Sequence, residues 1–140
     1  MKFVLLASLL LTSSAFSVTH EILMVNKSKT GEVMVFEPNF LKIKIGDSVK
    51  FVPKDKGHSA QQLVGAVPAG VPEWKAGLNK EITVKYDKEG VHFFKCLPHL
   101  AMGMVGAVQV GKPTNMAQVK AFKMTGKAAT TYQKVLAKIK

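Results

Sequence analysis

Cys96 is the single cysteine of the chain, and it stands in the run Lys95-Cys96-Leu97-Pro98-His99-Leu100-Ala101-Met102-Gly103-Met104. A thiol is therefore followed at short range by an imidazole and by a thioether. These donors grade from soft to borderline, a set that suits copper moving between its two oxidation states. With no second cysteine, the thiol cannot close a disulfide within the chain. Upstream, His58 offers a fourth donor. Taken singly, each has a plainer reading, because a free cysteine is often a small buried hydrophobe and methionine fills gaps in cores. Four suitable donors, three of them within residues 96–104, favour a copper site over four unrelated packing residues. His20, near the amino end, and His92, in a strand pattern outside the ligand loop, are read as structural.

The elements that must hold these donors follow from the hydropathy period. Leu41, Ile43 and Ile45 alternate with Lys42 and Lys44, Val49 and Phe51 flank Lys50, and Ile82, Val84 and Tyr86 alternate with Thr83 and Lys85. A two-residue period belongs to strands with one solvated face. Further strands are expected near 20–26, 32–36, 91–96 and 104–110, with a short one around 60–64. Closely spaced strands broken by turns predict an antiparallel sandwich. Gly46-Asp47 is expected to turn a two-residue hairpin between its flanking runs. The stretch from Gly65 to Asn79, punctuated by Pro68, Gly70, Pro72 and Gly77, predicts an irregular surface excursion. Beyond Gly111 the period lengthens. Thr114 is expected to cap a helix that runs to about Met124 and buries Val119 and Phe122, and Tyr132, Val135, Leu136 and Ile139 fall on one face of a second. The chain is thus predicted to be mainly β, with two short amphipathic helices at its carboxyl end.

On that scaffold the donors acquire directions. Strand alternation puts Cys96 on the face of Phe94, opposite Lys95, so the thiol is expected to point into the sandwich. Pro98 and Gly103 let the chain turn sharply and return. Met104 shares parity with Val108 and Val110 and is therefore preferred to Met102 as the thioether donor, with Met102 as the alternate.

The amino end predicts export. Met1-Lys2 is a short positive start, Phe3 to Leu11 is apolar apart from Ser8, and Ala15-Phe16-Ser17 offers small residues where a signal peptidase reads them. Cleavage after Ser17 takes 17 of the 140 residues and leaves 123, residues 18–140, enough for one domain with a real core. The apolar stretch falls short of the roughly 20 residues of a spanning helix, so the mature protein is expected to be soluble, with no membrane association. All 20 basic residues are lysines against 9 acidic ones. Loss of Lys2 with the leader takes the formal charge from +11 to +10, which attracts an acidic partner. The absence of arginine, the residue of bidentate phosphate contacts, speaks against nucleic acid.

The order His58, then Cys-x-x-His-x-x-x-x-Met at Cys96, His99 and Met104, resembles the type 1 copper site of the cupredoxins. Within that family the chain is similar to the pseudoazurins along its whole mature length. Met34-Val35-Phe36-Glu37-Pro38, Asp55-Lys56-Gly57-His58 and Ala101-Met102-Gly103-Met104 share in the likeness, and the two terminal helices separate it from the plastocyanins. The resemblance implies an eight-stranded Greek-key sandwich with one blue copper. His58, Cys96 and His99 would form the trigonal plane and Met104 a weak axial ligand. It further implies a periplasmic electron carrier active in denitrification, and a small shuttle of that kind is expected to be a monomer. The ring of His99 would reach the surface in an apolar patch of Pro98, Leu100, Ala101 and Met102, with Lys27, Lys56, Lys75 and Lys95 around it. A copper nitrite reductase would accept the electrons and a c-type cytochrome would supply them. Two departures stand out: Ser59 replaces a common asparagine after the first histidine, its amide still able to donate to Cys96, and Glu73 lies where relatives are richer in lysine.

Two other classes compete with this reading. A copper-delivery protein would use exposed, exchangeable ligands. A copper-independent module would use only the basic face and would not need Cys96. An enzyme is the poorest fit, since no nucleophile has a neighbouring base.

Overall fold

In the computed structural model, which describes residues 16–140, the apolar alternation of the sequence becomes two four-stranded sheets. The expected leader, residues 1–17, lies almost entirely outside the described residues. Strands β1 (Thr19–Lys27), β2 (Val33–Glu37), β4 (Ser48–Pro53) and β6 (Ile82–Lys85) form the first sheet, in the order β2-β1-β4-β6. Strands β3 (Phe40–Ile43), β5 (Gln61–Gln62), β7 (Gly90–Lys95) and β8 (Val105–Val110) form the second, in the order β3-β8-β7-β5. Helices α1 (Met116–Ala121) and α2 (Gly126–Leu136) follow. The eight strands and two carboxy-terminal helices are those the sequence implies. No helix among the described residues is long and apolar enough to cross a membrane.

Two expectations of strand pairing are corrected. The sandwich is mixed, because β1 pairs in parallel with β4, and β3 in parallel with β8. Gly46-Asp47 does not close a hairpin, since the runs on either side of it join different sheets. The turn is the four-residue Lys44 to Asp47, closed by the Asp47 amide on the Lys44 carbonyl at 3.1 Å, with Gly46 at φ 91°. It carries the chain across the sandwich. A two-residue period reports which face of a strand is wet, and is silent on which strand lies beside it.

The core between the sheets contains Ile22, Met24, Phe36, Phe51, Phe94, Val108 and Val110, all at most 3% exposed. Phe94 packs edge-on against Phe36 and Phe51, with ring centroids 4.7 and 4.9 Å away. A second core lies where the helices cover the outer face of the second sheet, joining Val91, Phe93, Val105 and Ala107 to Val119, Tyr132 and Val135. Tyr132 stacks on Phe93 at 4.1 Å and donates its hydroxyl hydrogen to the Val119 carbonyl at 2.8 Å. Val119, Tyr132 and Val135 are buried as the helical period requires, and Leu136, Ile139 and Phe122 are half-buried. The start of α1 differs from expectation: Asn115, not Thr114, stands at the cap position. Its amide side chain is committed to the backbone of Val91, while the Thr114 hydroxyl donates to the Glu89 carbonyl. The stretch from 65 to 79 is irregular as expected but less superficial, burying Ala66 and Val67 and resting Trp74 on Phe51 at 5.1 Å.

Candidate metal centre

Strand β7 delivers Cys96 one residue past its end, and β8 begins one residue after Met104. The Cys96 amide donates to the Met104 carbonyl at 3.0 Å, so these two residues continue the β7–β8 ladder and close the base of the loop between them. Both are fully buried in the inter-sheet core, on the side of Phe94, Val108 and Val110 that strand parity predicts. Met102 is 43% exposed, which leaves Met104 as the buried thioether. Within the loop, Leu100–Met102 form one 3-10 turn, and the Met104 amide donates to the His99 carbonyl at 3.2 Å. Gly103 ends that turn at φ 88°, where a Cβ would sit 2.7 Å from Thr131 Oγ1 and 3.0 Å from the Lys127 carbonyl oxygen. Its lack of a side chain lets α2 rest on the loop, so the helix braces the candidate donors from behind.

His58 arrives from the other side, on the segment between β4 and β5. Its carbonyl accepts from the Asn79 amide at 2.8 Å, and the Asn79 side chain accepts from the Gly57 amide at 2.6 Å. The 65–79 excursion thereby pins the His58 backbone. The imidazole is oriented by Asn26, whose Oδ1 lies 2.8 Å from His58 Nε2. Asp55 completes the link between these segments by accepting from the Asn26 amide at 2.7 Å.

These constraints bring His58, Cys96 and His99 together. The Cys96 sulfur lies 3.9 Å from His58 Nδ1 and 3.6 Å from His99 Nδ1, and the two nitrogens are 3.2 Å apart. A point equidistant from the three atoms is about 2.1 Å from each, close to the lengths of metal–imidazole and metal–thiolate bonds. Burial first, and the neighbouring His99 second, push the pKa of His58 below its ordinary value. The ring thus favours its neutral form, the form that donates to a metal. The donors fit a soft-to-borderline ion such as copper.

Of the residues the sequence singles out, His58 and Cys96 are fully buried, while His99 is only partly buried. Pro98, Ala101 and Met102 are exposed around it, and Leu100 is half-buried. Ser59 is 5% exposed, directly after His58. His92 is a buried strand residue whose Nε2 meets the Lys88 carbonyl at 2.8 Å, and burial pushes its pKa down. Sequence reasoning missed Asn26, Asn79 and Asp55. Only Asp55, the first residue of the recognised run Asp55-Lys56-Gly57-His58, carried any signal.

A family model for copper-binding proteins of the plastocyanin/azurin family matches residues 22–111. The chain is 40% identical over 134 residues to a pseudoazurin of Paracoccus pantotrophus, covering 95% of this chain and 92% of that one. Among solved structures it is similar to native pseudoazurin from Hyphomicrobium denitrificans, at a TM-score of 0.84 and 45% identity over 87% of this chain and 98% of that one. Pseudoazurin from Methylobacterium extorquens AM1 gives a TM-score of 0.81 at 37% identity, over 87% and 99% of the two chains.

Proposed function

We infer that this chain, which belongs to the plastocyanin/azurin family of copper-binding proteins and within it to the pseudoazurins, carries single electrons on one type 1 copper held by His58, Cys96, His99 and Met104. The observation that carries the ligand assignment is the triangle of donor atoms, with sides of 3.2, 3.6 and 3.9 Å, held within one folded frame. Copper bound there supplies one-electron chemistry by cycling between its cupric and cuprous states. The chain is an electron-transfer protein and not an enzyme.

The residues around the donors divide the remaining work. Asn26 and Asn79 fix the ring and the backbone of His58, while the β7–β8 ladder fixes Cys96 and Met104. A site held from both sides alters little between oxidation states, and that keeps the reorganisation on electron transfer small. His99 is the half-exposed member, so electrons are proposed to pass through its ring, at the centre of the apolar surface of Pro98, Leu100, Ala101 and Met102.

The finer reading is that the protein is periplasmic, released by cleavage after Ser17, and acts in denitrification with a copper nitrite reductase as acceptor and a c-type cytochrome as donor. Placement of the lysines supports a basic ring for such partners. Lys27 follows Asn26, Lys56 lies two residues before His58, and Lys75 and Lys95 both pair with Gln61. Lys27, Lys56 and Lys75 are exposed and Lys95 is half-exposed. Neutralising Lys56 and Lys95 together is expected to slow reduction of an acidic partner by about tenfold at low salt, with the gap closing as salt rises and the copper spectrum unchanged. Stopped-flow rates that do not differ from those of the unsubstituted protein would remove the basic ring from the account.

A further inference from the structure

The first strand starts where one carboxylate gathers two nitrogens. The backbone nitrogen of Val18 lies 2.9 Å from Asp47 Oδ1, and His20 Nε2 lies 2.9 Å from Asp47 Oδ2. Asp47 is 5% exposed, whereas Val18 is 52% exposed and Thr19 is exposed beside it. Residues 18 and 20 therefore present their nitrogens on one side of the chain. Cleavage after Ser17, the part of the proposed function on which this inference rests, makes the Val18 nitrogen a free amine and His20 the third residue. An amine, the amide nitrogens of residues two and three and the Nδ1 of a third-residue histidine close three fused chelate rings in one plane. Four nitrogens in a tetragonal plane are the set preferred by Cu(II) and Ni(II).

We propose that the mature amino terminus, Val18-Thr19-His20, is a second metal site, separate from the copper centre, that takes Cu(II) or Ni(II) in a square of four nitrogens.

The surroundings favour that use. Asp47 holds His20 by Nε2, the ring nitrogen the chelate leaves free, so Nδ1 is the one available to the metal, and a carboxylate behind a ligating imidazole fixes its tautomer. The register of β1 with β2 begins only at Leu23, so residues 19–22 have no strand partner on that edge. On the other edge, Thr19 and His20 pair in parallel with Ser48 and Val49 of β4, and the Ser48 amide holds the Val18 carbonyl at 2.9 Å. Wrapping the metal lifts residues 18–20 from β4 and takes the Val18 nitrogen off Asp47, while Ile22, fully buried, stays in the core. The Val18 ammonium and the amides of Thr19 and His20 each release one proton, and no electron moves. The chelate offers no soft donor, so it discriminates against the cuprous ion, which the thiolate and thioether of the copper centre accept. The amino-terminal chelate thus holds copper only in its cupric state, whereas the copper centre holds it in both.

The test uses the chain beginning at Val18, its start verified by intact mass and its copper centre already filled. Cupric ion alone is then titrated in, with electron paramagnetic resonance as the readout. The expected result is one further equivalent bound with four equatorial nitrogens. That equivalent is lost in His20→Gln and lost when a single glycine is added before Val18, while both variants keep the first copper's spectrum. The glycine extension leaves every residue of the fold in place, so a misfolded His20 variant would not obscure the answer. Failure to bind a second equivalent, or an unchanged signal in both variants, overturns the site. The intact mass of the exported protein tests the cleavage separately: a start other than Val18 would overturn processing after Ser17, while the titration still reports whether this tripeptide chelates.

Discussion

The two sheets meet water differently, and that difference sets how the proposed copper ligands are held. In the first sheet, β6 keeps the strict alternation of a strand with one wet face, and the outer residues of β4 are half-buried. In the second, every residue of β8 is buried and only Lys95 of β7 is not, because α1 and α2 cover the face that would otherwise be solvated. Cys96 and Met104 extend this doubly buried pair, whereas His58 comes from a loop beyond the half-wet sheet and needs Asn26 and Asn79 to hold it. One side of the site is thus rigid by packing and the other by hydrogen bonds.

If packing of α2 supports the ligand loop, Tyr132→Ala is the most damaging change. Removing a fully buried ring stacked on Phe93, together with its hydrogen bond to Val119, is expected to cost about 3–5 kcal/mol in chemical denaturation of the copper-free protein. Thr83→Ala, on the wet face of β6, should stay within about 0.5 kcal/mol. Equal losses would break the distinction between the sheets. On the hydrogen-bonded side, Asn26→Ala leaves the His58 ring without its partner at 2.8 Å. The expected outcome is copper affinity lowered by about 10–100-fold with little change in the copper-free unfolding midpoint, as measured by competition with a chelator.

The smallest expected effect concerns acid. Hydrogen bonds from His20 first, and from the Val18 amide next, hold the pKa of Asp47 down to about 2, against an ordinary value of 3.8. A depressed carboxylate stabilises the fold fully above the ordinary value, and that contribution disappears as the pH falls toward the lower one. Asp47→Asn should therefore be less stable than the unsubstituted chain at pH 5, with the difference shrinking between pH 4 and pH 2. A difference independent of pH would detach Asp47 from the anchoring of β1.

How legible these features are in the sequence follows from the same contrast. Cys96, His99 and Met104 fall within nine residues, and local spacing plus strand parity suffices to foresee that Met104 is buried while Met102 is exposed. The helical faces are legible because Tyr132 and Val135 follow one period through one element. Asn26 is not legible, since its partner lies 32 residues away and nothing in the spacing marks it. The hairpin expected at Gly46-Asp47 fails for a related reason: the runs on either side alternate alike, yet β3 and β4 find their neighbours in different sheets. At the helix start, Thr114 and Asn115 are both good caps by type, and the choice is made by what Val91 and Glu89 require of them.

The central claim is that the Cys96 sulfur and the rings of His58 and His99 bind one cupric ion inside the folded frame. Its most direct measurement is the visible absorption of the oxidised, copper-loaded protein compared with that of Cys96→Ser. The expected result is an intense charge-transfer band from the sulfur, with copper bound at one equivalent, and disappearance of that band in the variant. A colourless copper-loaded protein, or a band that survives loss of the thiol, would contradict it.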